Sequence, residues 1–241
     1  MFYCEPMPLE ATADNVQLTA FVAKATNSTA QARPFLRVLL RLADYLVDNG
    51  LHPALQLTSD DYMGAHANNT NLAVKAIVAI GGFAQLCEML AAEGFAGAAA
   101  APAQAPGTDW RQKARHYRAI SEAYARTWAR ETAGGYLGGH LSAYGSNATF
   151  SLKYNLVWDK VLGTHLFADV IEAECAVFRR LQRTYGLEYG LPFSGDASSL
   201  NASNATGSFY QVLSPGETAI QQKMTAMSAR LVRKSLRNDN Q

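Results

Sequence analysis

The sequence predicts an all-α protein built of helical hairpins in two layers, and three observations carry that prediction. Apolar residues recur at helical spacing through most of the 241 residues. Two of the apolar runs are greasy on more than one side, whereas a third has one apolar face and one charged face. Alternation of enclosed and one-faced helices is what two packed helical layers require.

In chain order, Met7 to Asn15 reads as a turn leading into a helix over Val16 to Ala25. From Arg33 to Asn49, Phe35, Val38, Leu39, Leu42 and Leu46 form one stripe and Leu36, Leu40, Ala43 and Val47 a second, which predicts an enclosed helix. Pro34 suits its first turn and Asn49-Gly50 its stop. Leu72 to Leu90 predicts a second enclosed helix, with Asn69 or Thr70 as N-cap and Gly81-Gly82 allowing close backbone approach. Gly94 to Gly107 is an Ala/Gly/Pro tract and predicts a flexible insertion. Thr108 to Thr132 sets Trp110, Ala114, Tyr117, Tyr124 and Trp128 opposite Arg111, Arg115, Glu122, Arg126 and Arg130, an outer helix with one wet side. Gly134 to Ser146 is glycine-rich and predicts a small β-hairpin or irregular insertion. Asn155 to Gly163 and Phe167 to Tyr185 are helical again, Asp196 to Ser208 reads as a Ser/Asn loop, and Thr218 to Arg237 as a solvated basic helix.

Composition narrows the function. With 21 Lys and Arg against 20 Asp and Glu the formal charge is +1, which exerts no bulk pull on nucleic acid or an anionic membrane. The most apolar run, Leu72 to Ala92, is interrupted by Lys75 and Glu88, so no membrane span is expected. Cys4, Cys87 and Cys175 are too few and too scattered for a zinc site or a disulfide framework, and at most one bridge is open to them. His66, His116, His140 and His165 have no ligand spacing, so neither metal nor cofactor is expected; no Walker loop, dinucleotide fingerprint or Gly-X-Ser-X-Gly is present. Five Asn-X-Ser/Thr sequons, at Asn27, Asn68, Asn147, Asn201 and Asn204, point to export. The stretch Met1 to Pro6 lacks the basic and apolar regions of a secretory signal, so an exported protein would have its true amino terminus elsewhere.

Polar residues gather in three segments at or before helix starts: Met7 to Asn15 with Glu10, Thr58 to Asn71 with Asp60, Asp61, Asn69 and Asn71, and Ser151 to Lys160 with Lys153, Tyr154, Asn155, Trp158 and Asp159. Helix N-termini offer unpaired N–H groups and partial positive charge, so three converging ends would make a polar pocket. Glu10 is either an acid/base group or a carboxylate stabilising a helix start. One of Asp60 and Asp61 would face the pocket, or both are turn residues. Asn69 and Asn71 either hydrogen-bond a carboxamide or cap a helix. Asp159 is either functional or ion-paired with a neighbouring lysine; Lys153 and Tyr154 either bind a substrate carboxylate or lie on the surface; Trp158 either stacks on a ligand or packs in the core.

Met7-Pro8-Leu9-Glu10, Asp60-Asp61 followed by Asn69-Thr70-Asn71-Leu72, and Lys153-Tyr154-Asn155-Leu156-Val157-Trp158-Asp159-Lys160 resemble, in order and spacing over roughly residues 5 to 192, the six-helical-hairpin domain of the glutaminase A family of fungi and bacteria. The resemblance implies an incomplete (α/α) toroid, of which this chain would hold about the second half, and a secreted amidohydrolase that converts glutamine to glutamate and ammonia. It implies catalytic roles for Glu10, Asp159 and Asp60 or Asp61, and substrate binding by Asn69, Asn71, Lys153, Tyr154, Asn155 and Trp158. Residues 1–192 would form the partial domain, 193–217 a low-complexity loop and 218–241 a basic helix or tail. The sequence departs from the family where two adjacent glutamates are usual, since Glu10 is followed by Ala11. Two other classes stay open: a toroid glycoside hydrolase working with paired carboxylates on a sugar, and a non-catalytic remnant or binding module. Oligomeric state is not legible.

Overall fold

The computed structural model describes residues 6–59, 64–95, 108–185 and 194–196. Among them run α1 (Pro8–Thr26), α2 (Leu36–Asn49), α3 (Thr70–Ala92), α4 (Trp110–Glu131), β1 (Thr149–Ser151), α5 (Leu156–Leu162), α6 (Ala168–Tyr185) and β2 (Ser194–Asp196). The fold is all-α, with one two-stranded sheet. The insertion residues 96–107, the loop beyond 196 and the basic C-terminal segment lie outside the described residues.

The chain divides into two compact units. The first comprises Met1–Thr132, Ala143–Gly145 and Lys153–Ala168, and α3 is its axis, packed by α1, α2, α4 and α5. Every residue of α3 from Thr70 to Ala84 is buried. By length and composition α3 could cross a membrane, but 83% of its most apolar window is buried in the protein, the position of a core helix. Gly81 and Gly82 let neighbours close in as expected: a Cβ on Gly81 would stand 2.9 Å from Leu166 Cδ1, and one on Gly82 3.0 Å from Leu162 Cδ1. α4 buries Trp110, Ala114, Tyr117, Ser121, Ala125 and Trp128 and leaves its arginine face wet.

Two elements differ from expectation, and a third resolves between its two alternatives. Helix α1 begins at Pro8, not Val16: proline occupies the first helical turn, where its missing N–H costs nothing, and Glu10 stands in the same turn. Helix α2 is one-faced, burying Leu36, Leu39, Ala43 and Leu46 while Phe35 and Val38 are 60% and 53% exposed. Arg37, Arg41, Asp44 and Asp48, three or four residues apart, mark its wet side. The third falls in the second unit, which comprises Ala133–Ser142, Ser146–Leu152 and Asp169–Gln241. There 134–142 is the irregular alternative, a loop around a 3-10 turn at Tyr136–Gly138, and an unexpected strand pair forms between β1 and β2, antiparallel with Phe150 opposite Gly195. That unit's core is Phe150, Val177 and Leu181, and Glu174 accepts from both the backbone N–H and ring Nδ1 of His140, each at 2.9 Å.

Candidate functional site

The early start of α1 puts Glu10, Asp14 and Gln17 at spacings of four and three residues, on one helical face. That face meets Lys75, the lone cation in the enclosed half of α3. Lys75 Nζ donates to Glu10 Oε1 and to Asp14 Oδ1, each at 2.7 Å, with Lys75 and Glu10 only 6% and 3% exposed in their side chains. A lysine inside an apolar helix must find carboxylates or lose its charge, and α1 supplies two. Segment 56–59 completes the cluster. Met7 offers α1 no side-chain cap, so Gln56 Oε1 accepts the Leu9 N–H at 3.0 Å. Ser59 donates its N–H to Glu10 Oε2 at 2.7 Å and its hydroxyl to Glu10 Oε1 at 2.8 Å.

One turn before Lys75 on α3 stands Asn71, 4% exposed. Its Oδ1 accepts the Asn155 N–H at 3.2 Å and its carbonyl accepts Asn155 Nδ2 at 3.1 Å. Glu10, Asn71 and Asn155 are thus linked along α3 through Lys75. Asn69 is the N-cap of α3, its Oδ1 accepting from the N–H groups of Asn71 and Leu72 at 3.0 Å. Lys153 is buried at 3% exposure and Tyr154 is half-buried. Trp158 is half-buried and sets its ring edge-on to Phe21 at 6.0 Å between centroids.

Asp159 has a different environment. Its carboxylate accepts the Thr164 hydroxyl, the Leu166 N–H at 2.9 Å and the Phe167 N–H at 3.2 Å, so it ties down the turn that follows α5. No ion pair joins it to Lys153 or Lys160 among the described residues. Asp60 and Asp61 lie outside the described residues, directly after Ser59 in sequence. No group of three or more His, Cys, Asp or Glu among the described residues is placed to hold a metal ion. Cys87 and Cys175 are free, and burial pushes the Cys87 thiol up to about 12.

Of the residues singled out from the sequence, the structure brings Glu10, Asn71 and Asn155 into one neighbourhood, together with Lys75, Asp14, Gln17 and Ser59, which the sequence did not single out. The usable signal was Lys75 itself, a charge that a fully buried helix cannot tolerate unpaired, together with the proline that starts α1 in the same turn as Glu10.

The architecture and the cluster define a helical-hairpin domain that buries a carboxylate–ammonium pair beside polar helix ends. The chain belongs to the family of the glutaminase A six helical-hairpin domain, whose model matches residues 2–204. It is similar to the glutaminase A of Aspergillus oryzae (strain ATCC 42149 / RIB 40), 26% identical over 188 residues, which cover 76% of this chain and 24% of that protein. No solved structure matches the chain.

Proposed function

We propose that this chain provides part of an amidohydrolase that converts the side-chain amide of glutamine to glutamate and ammonia, with Glu10 as the acid/base group. Its membership of the glutaminase A family supports the substrate class, and the environment of Glu10 supports the role. A carboxylate has about four lone-pair positions, and donors among the described residues take three of Glu10's: two on Oε1 and one on Oε2. Oε2 therefore keeps one position for a proton. Lys75 and Ser59 hold the carboxylate in one orientation while it takes a proton from the attacking water and passes one to the leaving nitrogen. Asn71 Nδ2 and Asn155 Oδ1, the halves of the two amides left over from their mutual hydrogen bonds, suit the two ends of a carboxamide. The reaction asks for no cofactor. The partner is a small molecule rather than nucleic acid, and the place of action is outside the cell, a reading that rests on the sequons.

A sugar substrate is less well supported. The Glu10 and Asp14 oxygens that meet Lys75 lie no more than twice 2.7 Å apart, which brings two carboxylates together as a glycosidase requires. The lysine ammonium, however, fills the gap where a glycosidic bond would have to sit.

Ammonia release from L-glutamine by the intact protein is the test, alongside Glu10→Gln. The variant should lower kcat by roughly 100-fold or more. Full activity in Glu10→Gln would remove Glu10 from the mechanism, and a wild-type protein that releases no ammonia would favour the non-catalytic reading.

A further inference from the structure

Gln17 is wholly buried, and its amide is only half used. Its Nε2 donates to Asp14 Oδ1 at 3.3 Å, which fixes the amide's orientation, since the reverse would set a carbonyl against a carboxylate. Gln17 Oε1 must then accept, and among the described residues nothing donates to it. A buried carbonyl without a donor is destabilising, so the position calls for a donor that the described residues do not supply. Charge points the same way. Glu10 and Asp14 present two carboxylates to the single ammonium of Lys75, and Asp14, with 41% of its side chain exposed, spends only Oδ1 on Lys75 and Gln17. Water would satisfy the carbonyl but leave the excess charge. A cation that carries N–H donors satisfies both.

We propose that Asp14 and Gln17 form a binding site for an ammonium group. Two sources share that chemistry: the α-ammonium of an amino acid and the free ammonium ion. The first rests on the glutaminase reading, and the second does not. Either would lie one helical turn along α1 from Glu10, since Asp14 is four residues beyond it.

Thermal denaturation of the full chain in ammonium chloride, and in L-glutamine, compared with sodium chloride at equal ionic strength, tests this directly. At least one of the two probes should raise the midpoint above the sodium control, and Asp14→Asn and Gln17→Leu should each weaken that binding about tenfold. Gln17→Met, with similar volume and no acceptor, serves if the leucine variant fails to fold. A shift with glutamine alone assigns the site to the α-ammonium, and a shift with ammonium chloride to the free ion. No shift with either probe, or wild-type affinity in both variants, overturns the proposal. Ammonia release is read separately: release from glutamine with KM unchanged in both variants overturns the assignment to the α-ammonium and leaves the glutaminase reading standing. Ammonium binding without ammonia release does the opposite.

Discussion

Two buried carboxylates of this chain meet different fates, and the difference lies in their donors. Asp159 accepts from two backbone N–H groups and a hydroxyl within eight residues of itself, so it shapes a local turn. Glu10 accepts from residues 49 and 65 positions away, one of them a lysine ammonium. No local pattern reports such long-range partners, which is why Glu10 was legible as a polar residue at a helix start and Lys75 was not legible as its counter-ion. The pairing is testable by stability. Lys75→Met leaves Glu10 buried with only the Ser59 donors, and should cost about 3 kcal/mol in urea denaturation at neutral pH. Adding Glu10→Leu to Lys75→Met should recover most of that loss, because an apolar pair of similar size needs no desolvated charge. A Lys75→Met protein as stable as wild type would show that the two side chains do not depend on each other.

At the scale of the element, α3 is held at both ends by side chains that are not its own apolar core. Asn69 caps its start, so Asn69→Ala should cost about 1 kcal/mol, whereas Asn69→Asp, which keeps the accepting oxygen, should restore stability. If Asn69 is only a cap, ammonia release will follow stability and survive in the aspartate variant; loss of activity in a stable Asn69→Asp protein would assign the amide itself to substrate. Beyond the C-terminal end of α3, Glu93 receives the Thr29 N–H at 2.9 Å and hydroxyl and Arg33 Nη2 at 2.7 Å. Those hydrogen bonds, from Thr29 first and Arg33 second, hold its carboxyl below the usual 4.5. A carboxyl whose folded pKa is depressed stabilises the fold above its unfolded pKa and stops doing so as pH falls through the folded value. The stability gap between wild type and Glu93→Gln should therefore be present at neutral pH and close in acid, and a gap that persists well below 4.5 would break the assignment. The helices themselves were legible because 3.6-residue periodicity is local. The one-sidedness of α2 was obscured because its two apolar stripes were read without the charged row Arg37, Arg41, Asp44 and Asp48. The β1–β2 pair was illegible for a stronger reason: three-residue strands more than 40 positions apart carry no local signal of one another.

For the whole molecule, the family and its all-α fold were legible because the Lys153 to Lys160 string and the hairpin periodicity point to the same answer. The activity of the whole protein is a different matter, since the chain spans 24% of the length of the relative it matches, and export is the part of that reading its own surface can answer. Asn27, Asn68 and Asn147, the sequon asparagines among the described residues, are all exposed, so a glycan on any of them would project into solvent without disturbing the core. Their threonines are less accessible. Thr29 and Thr70 are 0% exposed, and the Thr29 hydroxyl is bonded to Glu93. A sequon is recognised through its hydroxyl residue as well as its asparagine, so modification at Asn27 and Asn68 must precede the packing of α1 to α3. Protein recovered from its native producer, treated with a glycosidase that converts occupied asparagine to aspartate, should show that conversion by peptide mass spectrometry at Asn27, Asn68 and Asn147. The same chain folded without glycans and then offered to the transferase should stay unmodified at Asn27 and Asn68. Unmodified asparagine at all three positions in the native protein would remove the support these three sequons give to an extracellular enzyme, while modification of the prefolded chain would mean that α1 and α3 open readily enough to expose Thr29 and Thr70.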